Sequence, residues 1–146
     1  MKYLKILNPN QASKKTLIDN QNLNFLLKKR FNWMKKFIRN KKIIIELGSG
    51  NGFIKNFLGS KIITSDIYKH KLIDIEIDMN NLRIPKKYKK KVDIFILNHS
   101  LHHSKNPIKL LKKIKGMLNK KGMILINEPE ISFIFKFFLK VFNHER

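Results

Sequence analysis

Three carboxylates, a run of spaced glycines and a cluster of histidines are the side chains of this 146-residue chain whose types and spacing could do chemistry. The segment 43–52, IIIELGSGNG, puts Glu46 two residues ahead of alternating Gly48, Gly50 and Gly52. Glycines lack the Cβ atoms that would hold a ligand off the backbone, and a helix starting near Phe53 would aim its amino end at whatever sits there. Asp66 follows about 20 residues after the loop begins, where a carboxylate can accept hydrogen bonds from ribose hydroxyls and would repel a ribose phosphate. Asp78 could accept from an adenine amino group, and Met79 could lie on the ring. The dinucleotide fingerprint needs glycine where Phe53 stands, and the phosphate-cradling loop needs a Lys-Ser/Thr pair that is absent. Plain structural readings stand beside these: a strand-to-helix turn for Gly48, a cap or turn for Asp66 and Asp78, core packing for Met79.

The histidines sit in NHSLHH, residues 98–103. Imidazole titrates near neutrality, so His102 or His103 could take a proton from a hydroxyl or amine nucleophile. Imidazoles also suit zinc, but no carboxylate stands near His99, His102 and His103 in sequence to complete a metal site.

The hydrophobic period states which elements must position these groups. Residues from about Ser13 to Arg39 read as helical, with Leu27, Phe31, Met34, Phe37 and Ile38 on one face. Strands are predicted at Ile43–Leu47, Lys61–Asp66, Leu72–Asp78, Val92–Asn98 and Met123–Asn127, the first being a β-branched run suited to burial on both faces. Helical pieces are predicted at Phe53–Leu58, at Asn81–Lys90 with Pro85 inside it, and at Pro107–Leu118. In the last, Asn106 caps, Pro107 fits the first turn, and Ile108, Leu111, Ile114 and Leu118 form the buried stripe. Alternating strands and helices predict one doubly wound α/β domain with a mainly parallel sheet, its ligands held at the carboxyl ends of the strands.

Composition removes several classes. With no cysteine there are no disulfides and no thiolate chemistry, which suits a cytoplasmic location. No secretory leader is legible, and the apolar tract from Ile131 to Phe142 is shorter than the ~20 residues that cross a bilayer. The net charge of +22 invites a polyanion, but 28 of the 32 basic residues are lysine. Phosphate and base recognition favour arginine, and 66 of the 146 residues are Lys, Asn or Ile, as AT-rich coding would produce. Nucleic acid is therefore not the expected partner.

The segments IIIELGSGNG, ITSDI, IDMNNLRIP, VDIFILNHSLHH and NPIKLLKKIKGMLNKKGMILINEPE, in that order and spacing, resemble class I S-adenosylmethionine-dependent methyltransferases, in particular the type 11 methyltransferase domain group. The likeness covers about Phe37 to Glu130. It implies a Rossmann-like doubly wound sheet of about five strands in the order 3-2-1-4-5. It further implies S-adenosyl-L-methionine as cofactor, with Glu46 near the methionine amino group. Gly48, Ser49, Gly50 and Gly52 would lie along the cofactor, Asp66 with Ile67 at the ribose, Asp78 and Met79 at adenine, and Asn98 at the end of the fourth strand. The acceptor would be a small molecule, a saccharide or a lipid precursor.

Such enzymes run on into a helix and two further strands, and against that pattern the chain is expected to be a C-terminally truncated member lacking the last two. The expected layout is an N-terminal helical region over 1–40, a cofactor-binding core over 41–130 and an apolar helix over 131–146. That helix and an exposed sheet edge would favour self-association. Two other readings share the motifs: a silent remnant that binds cofactor or a partner without turnover, and an RNA methyltransferase.

Overall fold

The computed structural model describes residues 20–129, so the expected start of the first helix at residue 13 and the apolar helix over 131–146 lie outside the described residues. Helix α1 spans Gln21–Asn32, and the Asn20 side chain caps it by accepting from the Leu23 N–H at 2.9 Å. A turn at Trp33–Met34 leads into the short α2, Lys35–Ile38, so the single helix predicted here is two. The break leaves the predicted apolar face intact, because Leu27, Phe31, Met34 and Ile38 are all buried.

Strands β1 (Ile44–Leu47), β2 (Ile62–Asp66), β3 (Ile75–Glu76), β4 (Val92–Asn98) and β5 (Leu118–Asn127) form one sheet, ordered β3-β2-β1-β4-β5 and parallel throughout. This is the architecture and order that the sequence implied. Helices α3 (Ile54–Leu58) and α4 (Pro107–Met117) complete the crossovers. Alternate residues of the central strands face opposite layers. Ile44, Ile94 and Ile96 pack with Leu27, Phe31 and Met34 on one face. Ile45, Leu47, Phe95 and Leu97 pack with Leu110 and Ile114 on the other. The order reverses between β1 and β4, and such a reversal opens a crevice beyond the strand ends.

Further elements differ from their predicted form, and β5 starts at Leu118, five residues before the predicted Met123. The strand expected over Leu72–Asp78 pairs only at Ile75–Glu76. Side chains take over part of the ladder there: Asp74 accepts from the Thr64 N–H at 2.8 Å and from Thr64 Oγ1 at 3.0 Å, and Thr64 Oγ1 also lies 3.0 Å from the Leu72 carbonyl. The helix expected over Asn81–Lys90 is a single 3-10 turn at Lys86–Tyr88, because Pro85 is extended at ψ 139° and supplies no N–H. In α4 the cap and first-turn proline are as predicted, with Asn106 accepting from the Lys109 N–H at 2.9 Å. The buried stripe, however, is Leu110 and Ile114, while Ile108 is 69% exposed. Two residues rotate the helix by roughly 200°, which places Ile108 away from the side that Leu110 buries.

Candidate functional site

β1 delivers Glu46 and the glycine loop to the crevice. The chain turns sharply after Leu47, with φ of +71° at Gly48, +50° at Gly50 and +65° at Gly52. At Gly52 this requirement is compounded by crowding, since a Cβ there would stand 2.7 Å from the Leu72 carbonyl oxygen. Gly48 is similarly confined by Ser100, with Met79 next to it. Above Gly50 nothing lies within 4 Å, so the loop tip is open to a ligand. Ser49 fastens the loop to β2: its N–H donates to the Ser65 carbonyl at 2.8 Å, and its Oγ accepts from the Ser65 N–H at 3.1 Å.

Asp66, at the end of β2, turns toward this loop. Its Oδ2 accepts the Gly50 N–H at 2.7 Å and its Oδ1 accepts the Ile67 N–H at 2.7 Å. A carboxylate has about four acceptor sites, so capacity remains for hydroxyl donors. Beside Asp66, Ile67 is half exposed at 49% and Tyr68 more so.

Glu46 is the electrostatic anomaly. It is 2% exposed, and its Oε2 is buried with no hydrogen-bond partner. Burial raises its pKa to about 8; the Ser49 hydroxyl opposes that rise and the Asp66 charge adds to it. A carboxylate kept there unpaired costs stability, which a hydrogen-bond donor, and most strongly a cationic one, would relieve.

The remaining residues implied at the cofactor divide. Met79 packs on the second core layer, as its plain structural reading expected, and also lies beside Gly48. Asp78 accepts from the Asn80 N–H at 2.8 Å in a local turn. Asn98 Oδ1 accepts from Asn127 Nδ2 at 2.9 Å, joining the ends of β4 and β5.

The histidine segment leaves β4 through His99, a non-glycine residue at φ +53° whose N–H donates to the Asn127 carbonyl at 2.7 Å. Burial, followed by the Arg30 charge, lowers the His99 pKa. Leu101–His103 forms a 3-10 turn, and Glu128, just beyond β5, holds it. Glu128 Oε1 accepts the Ser100 N–H at 2.9 Å and the Leu101 N–H at 2.7 Å, and Oε2 is 2.5 Å from His102 Nδ1. Burial pushes the Glu128 pKa up, but these donors outweigh it and the net shift is downward. His103 is exposed and stacks obliquely on His102 at 4.1 Å between ring centroids. Sequence reasoning missed Glu128. Its signal was positional, because acids and histidines just past adjacent parallel strands meet at one edge. Among the described residues no group of three or more His, Asp or Glu could hold a metal ion, and no helix is long and apolar enough to cross a membrane.

A hollow of about 340 Å³ lies behind the loop, with Gly52, Lys55, Lys71 and Leu72 among its walls. None of Glu46, Asp66, Asp78 and Glu128 lines it.

A family profile described as a methyltransferase domain matches residues 17–144. Two solved structures are similar in fold. A SAM-dependent methyltransferase from Aquifex aeolicus has a TM-score of 0.53 at 16% identity, over 82% of this chain and 71% of that one. The trans-methyltransferase CalH, in complex with SAH, has a TM-score of 0.50 at 15% identity, over 77% of this chain and 41% of that one. The chain thus spans about two-fifths of the length of CalH. No curated protein matches it by sequence.

Proposed function

The chain belongs to the methyltransferase domain family, and on that premise we propose that it binds S-adenosylmethionine in the crevice between the glycine loop and Asp66 and transfers the methyl group to a small acceptor. The observation that carries this reading is Glu46: a buried carboxylate oxygen without a donor, two residues before a loop whose tip is open. An ammonium such as the amino group of a methionine moiety would supply both the missing charge and the missing hydrogen bond. The rest of the crevice fits the same cofactor. Asp66 has spare acceptor sites for a ribose diol, and Met79 beside Gly48 gives an apolar wall. S-adenosylmethionine, when bound, supplies a methyl carbon made electrophilic by its sulfonium.

The chain's own contribution to transfer is positioning and one proton. His102 donates Nδ1–H to Glu128, which leaves Nε2 with its lone pair as the base that accepts the proton of an acceptor hydroxyl or amine. Glu128 fixes that tautomer and steadies the imidazolium once it forms. The acceptor class that fits is a small molecule, a saccharide or a lipid precursor carrying such a group.

Calorimetric titration of the 146-residue chain with S-adenosylhomocysteine tests the reading. We expect micromolar binding, weakened at least about 10-fold by Asp66→Ala, since a charge-assisted pair of hydrogen bonds is lost. Absence of heat with the folded wild-type chain would overturn the reading.

A further inference from the structure

The three loop glycines are located by different forces. Gly48 and Gly52 are wedged against Ser100 and Leu72, whereas Gly50 has no neighbour in the direction a side chain would take. Packing on that side therefore does not fix the loop tip. Two hydrogen bonds do, one to each polar group of Gly50: its N–H donates to Asp66 Oδ2 at 2.7 Å, and its carbonyl oxygen is 2.9 Å from His70 Nε2.

The tautomer of His70 follows from its other contact. The Leu72 N–H reaches His70 Nδ1 at 3.3 Å, so Nδ1 is the acceptor and Nε2 carries the hydrogen that Gly50 receives. His70 is thus braced on one side by the backbone of the β2–β3 connection and holds the glycine loop with the other. It is only partly buried and forms no ion pair among the described residues.

We propose that His70 is a positioning residue for the cofactor loop, holding the tip at Gly50 in place when Asp66 is drawn to a ribose. The proposal rests on the cofactor reading of the crevice. Its logic is a division of labour. Asp66 must serve both the loop and the ligand, and any turn of its carboxylate toward ribose hydroxyls weakens its tie to the Gly50 N–H. The His70 tie uses the other polar group of that residue, its carbonyl, so it does not draw on the Asp66 carboxylate and can keep the tip from relaxing away. Without it the loop has more conformations in the free protein, and binding must order them.

Substitutions that separate the two imidazole nitrogens test this. Glutamine places an amide nitrogen near the position of Nε2 and can still donate to Gly50, whereas leucine can neither donate nor accept. In calorimetric titrations with S-adenosylhomocysteine, His70→Leu should weaken binding about 5- to 10-fold, the loss of roughly one hydrogen bond. His70→Gln should stay within about 3-fold of wild type, and the melting temperatures of both variants should stay within about 3 °C of it. Unchanged affinity in His70→Leu, or equal loss in both variants, would overturn the proposal while leaving the cofactor reading intact. A folded wild-type chain that takes up no S-adenosylhomocysteine would remove the cofactor reading and this proposal together.

Discussion

Glu46 and Glu128 stand at the carboxyl ends of β1 and β5, on either side of β4, yet their surroundings are opposite. Glu128 receives the Ser100 N–H, the Leu101 N–H and His102, and its pKa falls below the ordinary carboxylate range. Glu46 Oε2 receives nothing, and burial pushes its pKa to about 8. The acid on the β4–β5 side is satisfied by the protein and organises it. The acid on the β1–β2 side is left for something else to satisfy. A fold keeps an unmet acid of that kind where binding can use it.

The largest disturbance should come from the β1–β2 side, where geometry leaves no slack. Gly52→Ala puts a Cβ 2.7 Å from the Leu72 backbone oxygen at a φ of +65°. Backbone cannot rotate away as a flexible side chain can, so crowding and left-handed strain add. We expect a loss of about 3 kcal/mol or more in urea unfolding, enough to leave a marginal domain largely unfolded at 37 °C. If Gly52→Ala melts like the wild type, the loop is not held as described and the contrast between the two sides disappears.

A second, smaller effect separates the acids by the sign of their pH dependence. The folded pKa of Glu46 lies above its unfolded value of 4.5, so the folded state binds the extra proton between about 4.5 and 8. Stability from this site therefore falls as pH rises through that window. Glu128 behaves oppositely: its folded pKa is depressed, so its contribution is present above the ordinary carboxylate value and fades as pH falls through the depressed one. Asp74 and Asp93 share that direction: burial opposes them, but Lys55 and Thr64 outweigh it for Asp74, and the Ile43 and Lys42 N–H groups with Asn119 do so for Asp93. The melting temperature should peak in mild acid. Glu46→Gln should raise stability by about 2 kcal/mol at pH 6 and little at pH 4.5, while weakening S-adenosylhomocysteine. Glu128→Gln should lower stability at neutral pH by no more than about 1 kcal/mol, because solvent screens that pair, and should merge with wild type in strong acid. Parallel pH profiles for the two variants would break the contrast.

The difference between the two sides also explains what could be read beforehand. Glu46, the glycines and Ser49 lie in seven consecutive residues from 46 to 52, so a strand, a turn and a helix start displayed them as a pattern. The parallel arrangement followed from the alternation of elements, and the sheet order from the family resemblance. The partnership of His102 with Glu128 joins residues 26 apart in sequence, and only the β4–β5 register brings them together. His70 reaches a backbone carbonyl, a contact without a partner residue type to search for. The length of β3 was misjudged because Asp74 and Thr64 exchange side-chain hydrogen bonds that hydrophobic periodicity does not register. Hydrophobic pattern thus exposed what is local, and the sheet created the rest.

A small change in stability should also come from Gly50→Ala, and it is the one that decides what the loop is for. The added methyl meets no atom within 4 Å, so only the left-handed φ of +50° opposes it. That strain costs about 1 kcal/mol, which should show as a drop of a few degrees in melting temperature. The ties to Asp66 and His70 use the Gly50 N–H and carbonyl, which alanine keeps. Gly52→Ala injures the fold whether or not anything binds, so it cannot separate a turn from a cradle. In Gly50→Ala the methyl would occupy the space that a ligand must enter to lie against the backbone. Loss of S-adenosylhomocysteine binding in a chain that still melts cooperatively would assign that space to the cofactor. Retained affinity would reduce Gly50 to a turn residue, and the claim that the open tip is a ligand surface would fail with it.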